Sequence, residues 1–266
     1  MTETNPTPIT VIVLAGQRYG VVNPLAARAQ VSHKCLVPIC GKPLLAHVLD
    51  ALAEVPAIAD VRVAVEATAH ADLAPLLAGY EGVKLVASSP NLADSVLGAA
   101  DGVDTPIIVT TADNVLLTAP AVQQVREAME RADAVFALSR KASVMAAHPD
   151  GQRNYYRFSD DEYANCNIYG LSGPKALGAV EVFRGGGQFM KSVRRMIDSF
   201  GLLNIVMMRL GLISRETAAK RLGRQLGLTV EATVFEDGSL AIDVDNERTY
   251  AVCEELLSTR LVQARV

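Results

Sequence analysis

The sequence predicts an α/β fold: a doubly wound, mostly parallel mixed sheet with a helical insertion in its C-terminal half. Three observations lead there. Half of the 266 residues are apolar, enough to bury a sizeable core in one domain, or in one domain with a large insertion. Aromatic residues are scarce and Trp is absent, so Val, Ala, Leu and Ile must do the packing. Val/Ile-rich runs alternate with Ala/Leu-rich stretches, the rhythm of strands layered against helices.

The elements follow in order. Ile9 to Leu14 is a short continuous apolar run ending at Ala15-Gly16, which by length and β-branching reads as a buried parallel strand. A long loop is expected from Gln17 to Pro43, then a helix over Leu44–Glu54, a strand near Val61–Val65, a helix near Ala69–Ala78 and a strand at Val83–Ala87. Asn91 or Ser89 can cap a helix over Leu92–Gly102, with Pro90 tolerated at its start. A strand over Ile107–Thr111 ends at Ala112-Asp113-Asn114. A helix over Ala119–Arg131 leads to a strand over Ala134–Ser139. Strand then alternates with helix to this point, as right-handed crossovers require.

After Arg140 the rhythm changes. His148 to Glu162 is polar and aromatic and reads as a hairpin with loops. Asn165–Leu171 reads as a strand and Pro174–Val182 as a helix. Gly185-Gly186-Gly187 is a breaker, and Gln188–Leu226 reads as helices interrupted near Gly201 and Gly211. Strands are expected at Thr229–Phe235 and Leu240–Val244, then a helix from about Asn246 to Thr259. The chain divides into a nucleotide-binding half, 1–140, and an acceptor-binding half, 141–266, with a helical insertion at about 185–227. The halves are expected to share one sheet.

Composition narrows the function. Lys and Arg total 25 against 29 Asp and Glu, a net charge of −4, without the clustered basic surface of a nucleic-acid binder. The four cysteines, Cys35, Cys40, Cys166 and Cys253, contain no C-x-x-C pair, so reduced thiols are expected, not a disulfide framework or a zinc site. The N-terminal residues carry no basic or long apolar region of a signal peptide. No run reaches the ~18 apolar residues of a membrane span. A cytoplasmic protein is expected.

In an open α/β sheet, ligands bind at the carboxyl ends of the strands. Two such ends stand out. At Leu14-Ala15-Gly16-Gln17-Arg18, Gly16 permits a sharp turn and close approach of a ligand. Exposed N–H groups there, with Arg18, Lys34 and Lys42, could cradle a triphosphate; a plain strand-to-loop turn with solvated basic residues is the other reading. The segment is neither G-x-G-x-x-G nor a Walker loop. At the second end, Asp113 is placed to hold Mg²⁺, which takes one or two carboxylates plus phosphate oxygens and waters; it could equally cap the next turn. In Ala241-Ile242-Asp243-Val244-Asp245-Asn246, the two acids stand two apart on the expected strand, so both would project to one face. Asp245 also opens the last helix, where it could be the N-cap.

These segments together resemble a family. Val13-Leu14-Ala15-Gly16 with Arg18, then His33-Lys34-Cys35-Leu36-Val37-Pro38-Ile39-Cys40-Gly41-Lys42-Pro43-Leu44-Leu45, resemble the opening of nucleotidylyltransferases with a Rossmann-like, GT-A-like fold, a superfamily that includes molybdopterin guanylyltransferase-like and sugar-phosphate nucleotidylyltransferases. Ser95-Val96-Leu97-Gly98-Ala99-Ala100 resembles the family's helix after the base-contacting loop. Thr111-Ala112-Asp113 resembles its metal-binding aspartate, and Ile242-Asp243-Val244-Asp245-Asn246-Glu247 its closing D-[IV]-D-T-P-E-D. The resemblance implies that the backbone of Leu14, Ala15, Gly16 and Gln17 holds the nucleotide. It implies that Arg18 and Lys34 contact phosphates as catalytic cations, that Asn91 and Ser95 lie near the base or ribose, and that Asp113 and Asp245 bind Mg²⁺. The chain departs from the pattern where Gln17 replaces the second glycine, where Arg18-Tyr19-Gly20-Val21-Val22-Asn23 replaces G-x-R-M, and where Asn246-Glu247 replaces Thr-Pro. Arg28 therefore competes with Arg18 for the triphosphate.

In the second half, Arg140 and Lys141 follow a strand and, with Arg157, Asn165 and Asn167, could hold an acceptor's phosphate; exposed charges and turn residues are the alternative. Lys191, Arg194, Arg195, Arg209, Arg215, Lys220, Arg221 and Arg224 make 191–224 basic, and Leu202, Leu203, Val206, Met207, Leu210 and Ile213 show helical apolar spacing. Such a helix either packs on the core with a solvated cationic face or lies on an anionic membrane surface, within reach of a lipid-linked acceptor. The expected activity is Mg²⁺-dependent transfer of a nucleoside monophosphate from a nucleoside triphosphate to a phosphorylated small-molecule or lipid-linked acceptor, with release of pyrophosphate. Two alternatives stand beside it. A GT-A glycosyltransferase usually shows a D-x-D at the middle strand, where this chain has Ala112-Asp113-Asn114. A non-catalytic nucleotide-binding regulator draws support from the rebuilt loop at Gln17 to Leu25.

Overall fold

The computed structural model of the protein describes residues 6–17, 23–183 and 211–263. Arg18, the triple glycine at 185–187 and most of the basic insertion, including Lys191, Arg194, Arg195 and Arg209, lie outside the described residues. The first half runs β1 (Ile9–Leu14), α1 (Pro24–Ala29), β2 (Pro38–Ile39), β3 (Lys42–Pro43), α2 (Leu44–Ala53), β4 (Ile58–Val65), α3 (His70–Leu77), β5 (Val83–Ala87), α4 (Leu92–Ala99), β6 (Ile107–Thr111), α5 (Ala119–Met129) and β7 (Ala134–Arg140). The second half runs α6 (Lys141–Ala147), β8 (Tyr156–Arg157), β9 (Glu162–Leu171), α7 (Arg215–Leu226), β10 (Val230–Phe235) and α8 (Glu247–Gln263).

One mixed sheet carries the fold, in the order β10-β7-β9-β6-β1-β4-β5, with β8 against β9. The β1–β4, β4–β5, β1–β6 and β7–β10 pairs are parallel. β9 runs antiparallel between β6 and β7, so the sheet is mixed and mostly parallel. The chain moves outward from β1 through β4 to β5, then returns to the other side of β1 as β6. That reversal opens a crevice at the carboxyl ends of β1 and β6.

Alternate β1 residues divide between two cores because successive side chains leave a strand on opposite faces. Val11 and Val13 join Leu44, Val48, Val122, Val125 and Val252 in one buried cluster, so α2, α5 and α8 cover that face. Ile12 joins Ala93, Val96, Ala218 and Leu222 in the other, so α4 and α7 cover the opposite face. Val/Ile-rich strands buried on both sides are what a parallel sheet demands.

Three expectations are corrected. The long loop at Gln17–Pro43 contains α1, a 3-10 turn at Lys34–Leu36 and the β2–β3 hairpin. These pieces are too short to show periodicity, although Asn23, whose Oδ1 caps α1, followed by Pro24 is a helix-start signature. Lys141–Ala147 is a helix, where Lys141 is expected only to follow a strand end. Leu240–Val244 is no strand: Gly238–Ala241 is a 3-10 turn, and 242–246 have no regular structure. Its apolar residues are buried because the segment dives beneath α6. A Cβ on Gly238 would sit 2.1 Å from the Ser143 carbonyl, so only glycine fits. Of the expected insertion, α7 is described, and Ile213 before it is buried. Among the described residues no helix is long and apolar enough to cross a membrane.

Candidate active site

The β6 end is pinned from both sides. Ala112 N–H donates to the Leu14 carbonyl at 2.9 Å, extending the β1–β6 ladder by one bond. Asn114 is fully buried and donates to the Cys166 carbonyl on β9 at 3.1 Å. Asp113 is thereby held at the mouth of the crevice. The closing segment docks on it, with Val244 N–H donating to the Asp113 carbonyl at 3.1 Å.

Lys34 reaches this point from the 3-10 turn. Its ammonium lies 2.5 Å from Asp113 Oδ2 and 3.4 Å from Asp245 Oδ1. The Lys34 and Asp113 side chains are 18% and 19% exposed and that of Asp245 is 67% exposed: a partly buried ion pair opening onto a solvated carboxylate. Asp245 is not the helix cap. Asn246 Oδ1 accepts from the N–H groups of Arg248 and Thr249, which leaves the Asp245 carboxylate free to face Lys34.

Burial disfavours the charged forms here, and the charges themselves overrule it for two of the groups. Burial pushes Asp113 up, but the Lys34 ammonium, by charge and hydrogen bond, holds it below the usual carboxylate range. Burial lowers Lys34, and Asp113 with Asp245 raises it above its ordinary value. Asp243 goes the other way. Burial and the like charges of Asp113 and Asp245 push its carboxyl well up, against Lys34 and the Asn167 amide. Asn167 Nδ2 donates to Asp243 Oδ2 at 2.5 Å.

The Oδ1 atoms of Asp113 and Asp243 are buried without a hydrogen-bond partner. Among the described residues no three His, Cys, Asp or Glu side chains form a ready-made metal cage. Two acids with unmet oxygens beside the solvated Asp245 carboxylate suit Mg²⁺, which keeps waters and relies on substrate phosphate to complete its shell.

The strand end at Leu14 differs from the open cradle expected. Ala15 and Gly16 N–H both donate to the Ala64 carbonyl, and Gln17 N–H donates to Glu66 Oε1 at 2.8 Å, so all three N–H groups are engaged internally. Gly16 packs closely: a Cβ there would lie 3.1 Å from the Ser88 hydroxyl, which would have to shift slightly. Lys42 belongs to another cluster, paired with Asp50 at 2.6 Å. Arg28 pairs with Glu247 and lies over the Tyr250 ring, tying α1 to α8.

Asn91 caps α4, its Oδ1 accepting from Ala93 and Asp94. Ser95 is buried and holds the preceding loop, accepting from Ser89 N–H and lying 3.0 Å from the Ser89 and Asn91 carbonyls. Both shape the segment between β5 and α4 at the crevice.

The acceptor candidates separate. Asn167 joins the aspartates, and Asn165 donates to Asn167 Oδ1 at 2.7 Å and to Tyr169 Oη at 2.6 Å. Asn167 has a left-handed backbone, φ 51°, which Asn tolerates better than most residues, close to where the β7–β9 register shifts. Arg140 pairs with Glu236, and Lys141 with Glu162 while lying over the Tyr155 ring. Arg157 is exposed on β8. The structure thus brings Lys34, Asp113, Asp245 and Asn167 together and leaves Arg140 and Lys141 in separate ion pairs.

Residues 11–197 match the family of the MobA-like NTP transferase domain, about seven-tenths of the chain. The chain belongs to this family. No curated protein matches it. Solved structures share the fold of this MobA-like chain. A hypothetical transferase from Thermus thermophilus is 23% identical, with TM-score 0.71, covering 92% of this chain and 99% of its own. A 4-diphosphocytidyl-2C-methyl-D-erythritol synthase from Anaerococcus prevotii is 11% identical, with TM-score 0.58, covering 95% and 96%. A CMP:2-keto-3-deoxy-manno-octonic acid synthetase solved with CTP is 14% identical, with TM-score 0.56, covering 96% and 100%.

The MobA-like match includes Lys34 and Asp113 and stops short of Asp243 and Asp245, which the fold returns to the same crevice. Two residues at this site escaped the sequence reading. Asp243 was seen only as one of a strand pair, and its burial comes from the dive of 238–244. Glu66 follows the apolar run of β4, the same acid-after-strand signal that marked Asp113.

Proposed function

We propose that this nucleotidyltransferase-type domain moves a nucleoside monophosphate from a nucleoside triphosphate to a phosphorylated acceptor, with Mg²⁺ and release of pyrophosphate. The observation that carries the reading is Lys34 held between Asp113 and Asp245 at the carboxyl ends of β1 and β6. In this reaction an acceptor oxygen attacks the α-phosphorus and the bond to the bridging oxygen of pyrophosphate breaks. Positioning and charge neutralisation supply most of the rate, and no covalent nucleophile is needed.

Lys34 would meet the negative charge that builds on the phosphates, because its ammonium is already charged and aimed into the crevice. Asp113 keeps it charged and in place. Arg18 is proposed as a second phosphate contact. Bound Mg²⁺, held by Asp113 and Asp245, would supply Lewis-acid charge at the phosphate oxygens. Leu14, Ala15, Gly16 and Gln17 would shape the nucleotide's seat by close backbone approach, with Asn91 and Ser95 setting the opposite wall. The test is Asp113→Ala assayed for pyrophosphate release across nucleoside triphosphates and phosphorylated acceptors. A fall on the order of 100-fold or more is expected; unchanged turnover would sink the metal role.

Nucleotide binding without turnover is a second reading. It is favoured by the internal bonding of the Ala15, Gly16 and Gln17 N–H groups, which leaves fewer donors to meet charge that develops on the phosphates during transfer. Thermal stabilisation by Mg²⁺-nucleoside triphosphate without pyrophosphate release from any acceptor would select it.

A further inference from the structure

Arg248, on the first turn of α8, stands apart from the other cations. Four arginines among the described residues have side chains that make no hydrogen bond or ion pair: Arg153, Arg157, Arg224 and Arg248. The first three are exposed to solvent, which solvates their charge. Arg248 is half-buried, and its Nη1 is closed off from solvent without an acceptor. Leaving a guanidinium nitrogen desolvated and unbonded is costly, so a site that keeps one is equipped for a ligand that supplies the acceptor.

The neighbouring acids do not meet that need. Asp245 lies against Lys34, and Glu247 is paired with Arg28. The Asn246 side chain is turned to the helix backbone, capping the N–H of Arg248 itself. Burial raises the Tyr155 phenol; the charges of Lys141 and, more weakly, Arg248 oppose that shift, and Glu162 adds to it. The Lys141 ammonium lies 5.3 Å from the Tyr155 ring centre, but its charge is met by Glu162 at 2.7 Å. Tyr155 itself is fixed by donating to the Gln152 carbonyl at 3.2 Å. Of the two cations whose charge reaches the Tyr155 phenol, Lys141 is neutralised by a carboxylate and Arg248 is not.

We infer that Arg248, beside Tyr155, forms an oxyanion subsite for the acceptor, which therefore presents a phosphate or carboxylate there. Arg248 lies three residues past Asp245, on the segment that closes the crevice. A planar guanidinium grips either oxyanion through two parallel hydrogen bonds. The Tyr155 ring offers a surface for the acceptor's body. This inference rests on the nucleotidyl-transfer reading for the meaning of the ligand, but not for the existence of the subsite.

The test keeps the two apart by using separate probes on the whole protein. Thermal shift is measured at constant ionic strength with inorganic phosphate and with acetate, against chloride, in a Mg²⁺-free buffer. Mg²⁺-nucleoside triphosphate is titrated separately. Wild type is expected to be stabilised by phosphate, by acetate or by both, and the more effective ion names the acceptor's group. Arg248→Gln is expected to weaken that anion response about tenfold or more and to leave the nucleotide response unchanged; Arg248→Lys should recover part of it. An equal anion response in Arg248→Gln overturns the subsite, as does a wild type insensitive to both anions. Loss of the nucleotide response in Arg248→Gln also overturns it, by assigning the residue to the triphosphate. A wild type that responds to anions but to no nucleotide removes the transfer reading and leaves the subsite standing.

Discussion

The Lys34 ammonium and Asp113 Oδ2 lie 2.5 Å apart across 79 residues of chain. Lys34 is the cation at the centre of three carboxylates, those of Asp113, Asp245 and the more deeply buried Asp243. That arrangement makes it the internal counter-ion of the proposed metal centre.

Lys34→Met should therefore destabilise the protein in metal-free buffer. About 2–4 kcal/mol is expected, below the usual penalty for stranding a fully buried charge because Asp245 is solvated. Mg²⁺ should restore more stability to this variant than to wild type, since the cation replaces the missing charge. Urea denaturation with and without Mg²⁺ measures both. An equal Mg²⁺ increment in the two proteins would count against metal binding here.

Asp243 predicts an unusual pH dependence. Its folded-state pKa is raised, so the folded protein holds this proton more tightly than the unfolded chain, whose value is about 3.9. Its contribution is most favourable below about pH 4 and declines as pH rises toward the folded-state value. Asp113 has the opposite sign: its pKa is lowered, so its stabilisation is present above about pH 4 and is lost as pH falls through the folded value. Asp243→Asn removes the first effect and keeps a side-chain oxygen for the Asn167 amide. Relative to wild type it should gain stability between pH 4 and 7, measured by urea midpoints in chelator. Parallel pH profiles would refute the assignment.

Ser95 tests whether a residue at the crevice acts through the fold. Ser95→Ala strands the Ser89 N–H that its hydroxyl accepts at 2.8 Å. It should cost about 1–3 kcal/mol without any nucleotide present, read by thermal denaturation of the ligand-free protein. Unchanged stability would mean that the hydroxyl is kept for a ligand alone.

Gly238→Ala tests the dive that buries the closing segment. The new methyl would collide with the Ser143 backbone on α6, which cannot rotate away as a side chain would. A loss of about 1–3 kcal/mol is expected, with a matching loss of the Asp243 pH effect if the segment lifts. Wild-type stability would show that α6 yields without penalty.

Three of the four thiols belong to the core. Cys35, Cys166 and Cys253 are buried and unpaired. Burial pushes the Cys35 thiol up to about 12 and raises the other two, so they pack as small apolar groups.

What the sequence determined by itself is local. β1 and β6 were legible to the residue because a β-branched run needs no partner to be recognised, and Asp113 was legible because it stands where such a run stops. The ordered Lys34 and Gly41-Lys42-Pro43 segment was legible as a family pattern. Tertiary structure decided everything that required two distant segments to meet. It slid antiparallel β9 between β6 and β7, and no local periodicity encodes strand order. It ran 238–244 beneath α6 as a turn where alternation suggested a strand, because burial by a neighbouring helix imitates burial in a sheet. It bonded the Ala15, Gly16 and Gln17 N–H groups to the end of β4, and it gave the capping role to Asn246, freeing Asp245. The pairing of Lys34 with Asp113 and Asp245 follows from the reversal of direction at β1. That reversal is a property of the whole chain's path, which places side chains 79 and 211 residues from Lys34 at one crevice.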